Sequence, residues 1–142
     1  MIEISCERAR LDLPMIHRFL SEESAWAAGI SVVLVQKAID NSLCFGAYDG
    51  DRQVGFARVV TDYATFGYLC DVFVSSAERG RGISRLLADA VLAHTDLQGL
   101  RHFTLVSTSA RDLYGQYGWT PLHAPDAHME RFAPGVYKAS IL

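Results

Sequence analysis

Two glycines and two arginines share one turn of this chain, Glu78-Arg79-Gly80-Arg81-Gly82-Ile83-Ser84. An apolar run, Val72-Phe73-Val74, leads into it, and a strongly periodic stretch follows at once. The chemistry of such a turn is anion binding. Glycine lets the backbone come close, successive N–H groups point at the ligand, and a helix N-terminus adds partial positive charge. The arginines can add charge-assisted bonds. A pyrophosphate-bearing cofactor is the first expectation.

A second chemical group lies just upstream. Asp71 interrupts the apolar Tyr68-Leu69-Cys70-Asp71-Val72. An unpaired buried carboxylate is costly, so it either works on protons or is tied to backbone or arginine partners. Strand neighbours alternate faces, and the sequence leaves open which face meets a cleft. Asp62 is the second choice for a base. Cys70 as a nucleophile lacks a supporting histidine, and the five histidines show no zinc-ligand spacing, so no metal is expected.

The elements that must hold these groups follow from periodicity. Ile2, Ile4 and Cys6 alternate as a strand, and Leu13, Ile16, Phe19 and Leu20 follow helical spacing over 11–22. Ser31 caps a second helix reaching about residue 41. Strands over 43–48 and 53–60 flank Asp49-Gly50-Asp51-Arg52, a hairpin signal. Another strand over 67–75 enters the glycine turn. Ile83, Leu86, Leu87, Ala90, Val91 and His94 then make a complete apolar helical stripe. A buried strand over 101–108, a short helix over 110–117, and terminal strands at 119–122 and 129–132 complete the chain. The order is β-α-α-β-β-β-α-β-α-β-β, a mixed α/β (α+β type) sheet with helices on its faces.

Composition bounds the rest. The 142 residues, half of them apolar, suit one domain spanning 1–142. A net charge of −3 gives a nucleic-acid partner no support. No apolar run is long enough for a membrane span, and the first residues lack a signal-peptide pattern. Three dispersed cysteines, Cys6, Cys44 and Cys70, point to a reducing, cytoplasmic setting.

The glycine turn has lookalikes. A P-loop needs Gly-Lys-Ser/Thr after four spacers, and none exists. A dinucleotide fold needs G-x-G-x-x-G inside repeated parallel units, whereas here Arg85 follows and a hairpin precedes. The plain alternative is a tight turn whose glycines only accept positive φ. Residues 110–119, Ala-Arg-Asp-Leu-Tyr-Gly-Gln-Tyr-Gly-Trp, decide between these. Here the chain resembles the GCN5-related N-acetyltransferase (GNAT) superfamily. That family's cofactor motif, Arg/Gln-x-x-Gly-x-Gly/Ala, is met by Arg79, Gly82 and then Ser84. Its second motif is met by Ala110, Leu113, Tyr114 and Gly118, with Trp119 in place of Phe. Ser84 for Gly/Ala, and Ser107 where many relatives carry Asn, are departures that suggest altered cofactor contacts.

The resemblance implies a mixed sheet of six or seven strands with about four helices, and acetyl-CoA as co-substrate. It implies that backbone groups of Val72, Phe73 and Val74 pair with the pantetheine arm. Amides of Arg79, Gly80, Arg81, Gly82, Ile83 and Ser84 would cradle the pyrophosphate, with Ser107 as a further contact. A backbone N–H near Val74 would polarise the thioester carbonyl. Tyr114 is then the general acid and Asp71 the base that prepares a primary amine for direct attack in a ternary complex. Trp26, Glu22 and Glu23 fall where such enzymes shape the acceptor pocket. The acceptor would be a small molecule or a peptide amine, and a homodimer through terminal strands such as Met129–Phe132 is a further expectation. The rival readings are a non-catalytic acyl-CoA-binding or sensing domain and a nucleotide-binding regulatory domain.

Overall fold

A computed structural model describes residues 1–139. Five strands form one mixed sheet in chain order: β1 (Ile2–Ser5), β2 (Leu43–Asp49), β3 (Arg52–Thr61), β4 (Phe66–Val74) and β5 (His102–Leu105). The first four pair antiparallel, and β5 runs parallel to β4. The helices are α1 (Leu13–Arg18), α2 (Val32–Asp40), α3 (Ile83–Ala93), α4 (Arg111–Gly115) and a last short α5 (Val136–Ala139).

Both faces of the sheet are covered, which is why its strands read as nearly continuous apolar runs. On one face Ile83, Leu87 and Val91 of α3 pack with Phe45, Val59 and Leu69. On the other, Ile16 and Phe19 join Val35 and Ile39 of α2 against Cys44, Phe56 and Phe73. Cys44 and Phe45 are successive residues of β2 and go to opposite faces, as the pleat requires. Ser31 caps α2 through a bond from Leu34 N–H to its Oγ (3.3 Å), and Asp12 caps α1 by accepting from Met15 N–H (3.1 Å). α1 passes into a π-turn over Phe19–Glu23, closed by Ser24 N–H to Phe19 C=O (2.9 Å).

Two features of β4 open the sheet. Phe56 faces Phe73 and Arg58 faces Cys70, so Ala57 alone opposes both Asp71 and Val72. Asp71 takes φ +53° to make this bulge, a conformation uncommon outside glycine but tolerated by Asp. Pairing of β4 with β5 also stops at Leu69–Leu105. Cys70–Val74 therefore run on with a strand on their β3 side only, and the two parallel strands part.

The sequence-based order holds from β1 to α4. The expected terminal strands at 119–122 and 129–132 do not form: the described part of the sheet has five strands, not six or seven. Pro121, Pro125 and Pro134 remove backbone donors along this stretch. A short 3-10 turn, Pro125–Ala127, lies between the two stretches.

Candidate active site

The glycine turn shapes a cradle of ≈ 280 Å³ at the start of α3, lined by Val74, Arg79, Gly80, Gly82, Ser84 and Arg85 among others. Gly80 and Gly82 hold φ +84° and +75°, and Gly82 is the residue that caps α3. A Cβ at either would meet no protein atom, so left-handed backbone, rather than crowding, is what demands glycine. The arginines divide. Arg81 bonds to the carboxylates of Glu78 (2.5 Å) and Asp49 (3.0 Å), and Arg52 also reaches Glu78 (2.7 Å). Arg52 and Arg81 together hold Glu78 below the usual carboxylate range. The Arg81 guanidinium is thus committed to the protein, leaving its amide for the turn. Arg79 pairs with no carboxylate among the described residues and lines the cradle. The donor set (first-turn amides, the Ser84 hydroxyl, Arg79 and Arg85) fits a pyrophosphate.

A wider cleft of ≈ 1080 Å³ lies beside β5 and α4, lined by Phe103, Leu105, Ser107, Tyr114 and Trp119 among others. Leu113 lines the cradle and the next residue, Tyr114, lines this cleft, so one turn of α4 touches both. Tyr114 is 9% exposed, and burial pushes its phenol above the ordinary value. Its hydroxyl has no hydrogen-bond partner among the described residues, and Trp119 meets its ring edge-on at 6.3 Å. Ser107 Oγ accepts from Ala110 N–H (2.9 Å) and so closes the turn into α4, with its own O–H still free to donate.

Asp71 is tied to an arginine, one of the alternatives its sequence context allowed. Its Oδ2 takes Arg58 Nε and its Oδ1 takes Trp26 Nε1, each at 2.8 Å. Arg58 also donates to Ser42 Oγ (3.0 Å). Both oxygens of Asp71 are thus held by donors, and the carboxylate is fixed in place between β3 and the loop after the π-turn. Trp26 is half exposed and lies 6.5 Å, ring to ring, from Phe19, which stacks on Phe73 at 3.9 Å. These aromatics wall the α1–α2 side of β4 where it has left β5.

The other candidates find structural work. Asp62 accepts from the N–H groups of Ala64, Thr65 and Phe66 and from the Thr65 hydroxyl, and these bonds hold its carboxyl well below the usual range. It builds the β3–β4 turn. Burial pushes Cys70 up to about 12 and Cys44 to about 11, so neither is a nucleophile near neutrality. His17 bonds the Ile30 carbonyl (3.0 Å) and His94 accepts from Asp96 N–H (3.1 Å). No cluster of His, Cys, Asp and Glu among the described residues could hold a metal.

Sequence reasoning missed Arg58, and it gave no place at the cradle to Arg85 or to the motif residue Leu113. Arg58 carried a signal: a lone cation inside the apolar β3, one strand away from a lone carboxylate in β4, predicts a cross-strand pair. Arg85 follows the glycine motif by one helical turn and carried none.

A family profile described as the acetyltransferase (GNAT) domain matches residues 18–130. A protein of Gibberella zeae assigned as an acetyltransferase is 30% identical over 135 residues, covering 80% of this chain and 75% of that one. The crystal structure of a protein assigned to the GNAT acetyltransferases of Xanthomonas campestris pv. campestris is 53% identical. It superposes with a TM-score of 0.94 over 96% of both chains. A GNAT-family acetyltransferase from Streptococcus pneumoniae, 20% identical, shares the fold at TM-score 0.68 over 94% of this chain and 98% of its own.

Proposed function

From the premise that this chain belongs to the GNAT acetyltransferases, we propose that it moves an acetyl group from acetyl-CoA to a primary amine of a small molecule or peptide, by direct attack in a ternary complex. The observation that carries this is the contact of one α4 turn with both sites: Leu113 against the anion cradle, Tyr114 in the cleft beside β5.

When bound, acetyl-CoA supplies an activated acyl group. The residues that would hold it are the free edge of Val72, Phe73 and Val74, the amides of Arg79 through Ser84, and the side chains of Arg79, Ser84, Arg85 and Ser107. A backbone N–H near Val74 polarises the reacting carbonyl, an interaction typically worth ~3–4 kcal/mol. Tyr114 keeps its proton through the neutral range because burial disfavours the phenolate, and gives it to the departing sulfur. Asp71 acts as a positioning residue: it holds the Trp26 indole as one wall of the acceptor pocket. The amine then loses its proton to solvent in the opened gap.

Two measurements test the reading. Calorimetry should show CoA binding with ATP and NAD ignored, and thiol release should rise with at least one member of an amine panel. No CoA binding at millimolar concentration would end the proposal, while binding without turnover on any amine would favour the sensing domain.

A further inference from the structure

The cleft beside β5, at ≈ 1080 Å³, is far larger than the acetyl group that the proposed reaction moves. One end of it is lined by Leu105, the last residue of β5 to pair with β4. Val106 and Ser107, just past the point of parting, line it too. The cleft therefore starts where the two parallel strands separate, and Val72, Phe73 and Val74 would deliver the thioester to that gap. From there it follows β5 back to His102, about 10 Å at the rise of a strand. His128 lies 5.6 Å from His102, ring to ring, at this far end.

Apolar surface continues along this path. Trp119 stands edge-on to Tyr114 (6.3 Å) and to Phe103 (4.9 Å), which joins the candidate acid to the middle of β5 through aromatic rings. Leu122, 40% exposed, lines the cleft from the segment after α4. Phe103 and Leu105 pack on the α3 core, yet no residue of β5 is fully buried, whereas β2 buries five in a row. Val106, at the parting of the strands, is 80% exposed. Uncovered apolar surface of this extent beside a reacting group marks a ligand groove.

The groove and the anion cradle meet on one turn of α4, through Tyr114 and Leu113. A ligand held in the cradle by its phosphates thus comes to the groove with its acyl end. We infer that the groove takes the hydrocarbon tail of the acyl donor, so that medium-chain acyl-CoA thioesters are substrates and acetyl-CoA is the shortest of the series. This rests on the acyl-transfer reading and widens its donor. The chemistry is unchanged. The amine nitrogen bonds to the acyl carbon, the carbon–sulfur bond breaks, and the sulfur takes the Tyr114 proton. The surplus proton of the amine leaves to solvent, from which the phenolate recovers one. Each methylene moved from water into the groove adds about fourfold to the affinity for the donor.

Calorimetry of the full chain with octanoyl-CoA and with acetyl-CoA tests this. Octanoyl-CoA should bind about tenfold or more tighter, with a more negative heat-capacity change. With the amine that releases most thiol, kcat/KM should favour the same donor. Leu122→Asp sets a charge in the groove from a partly exposed position and should bring the affinity ratio near one. Because the ratio compares two donors on one preparation, loss of folded protein cancels from it. A ratio near one in the unaltered chain, or a tenfold ratio that survives Leu122→Asp, would overturn the inference. Should a ratio near one coincide with a dimer in light scattering, a second copy covers the groove and the inference falls equally. Acetyl transfer without preference for the longer donor leaves the acyl-transfer reading standing, whereas no binding of either thioester ends that reading, so the two failures are distinguishable.

Discussion

Trp26 Nε1 donates to Asp71 Oδ1 at 2.8 Å, joining the loop after the π-turn to the bulge of β4 across 45 residues of chain. The other Asp71 oxygen is held by Arg58 at the same distance. The carboxylate thus spans an exposed aromatic wall and a half-buried cation.

Replacing either end of this link should separate positioning from proton transfer. Trp26→Phe removes one neutral donor to a carboxylate, about 1.5–3 kcal/mol at most. We expect a raised acceptor KM, unchanged CoA binding and an unmoved pH–rate midpoint. Asp71→Asn leaves the half-buried Arg58 without its counter-charge and should cost about 1.5–3 kcal/mol of stability by denaturant titration. If the Asp71 variant were instead stable and lost the acidic limb of the pH profile, Asp71 would be the base after all.

Tyr114→Phe should lower kcat by about 10²-fold or more while CoA affinity stays the same. The sign of the pH effect follows from burial. The folded phenol ionises above the ordinary value near 10, so the acid remains loaded beyond that pH and activity falls only as pH rises through the raised value. Steady-state rates across the alkaline range read this directly, and an identical profile in the Phe variant would remove Tyr114 from the mechanism.

In the cradle, the two arginines should behave differently. Arg79→Ala removes a free charge facing the ligand and should weaken CoA binding by about tenfold or more, a charge-assisted bond being worth about 1.5–3 kcal/mol. Arg81→Ala should leave CoA affinity nearly unchanged and lower Tm, because it releases Asp49 and Glu78. Calorimetry and thermal melts on the same samples check both; equal losses of affinity would show that Arg81 leaves its carboxylates to bind ligand.

Cys70→Ser should retain activity, since its thiol, pushed up to about 12, is protonated throughout the working range. Alkylation at mildly alkaline pH should label exposed Cys6 first, mapped by mass spectrometry. Inactivation that tracks Cys70 labelling would contradict this.

Tyr48 offers a test of the core. Its ring is 1% exposed with Arg10 stacked over it at 4.1 Å, and its buried hydroxyl has no hydrogen-bond partner among the described residues. Tyr48→Phe removes an unsatisfied polar group and should be neutral or stabilising, by up to about 1–3 kcal/mol. Denaturant midpoints decide it.

The order of elements through α4 was legible because local physics wrote it. The α3 stripe repeats at helical spacing, Ser31 sits where a cap belongs, Asp49–Arg52 reads as a hairpin, and the φ demands of Gly80 and Gly82 mark the turn. Motif residues close in sequence, such as Gly82 and Ser84 or Leu113 and Tyr114, stay close in space. What the chain could not disclose by itself is everything set by contact between distant segments. The bulge at Asp71 breaks the alternation from which its face would be read, and its partners lie 13 and 45 residues away. The ion pairs that take Arg81 out of the cradle come from the β2–β3 hairpin and the preceding turn. The terminal segment has apolar residues fit for strands, yet a strand needs a neighbour at bonding distance. Only the tertiary structure decides whether that neighbour is present, because backbone pairing is a property of two segments together.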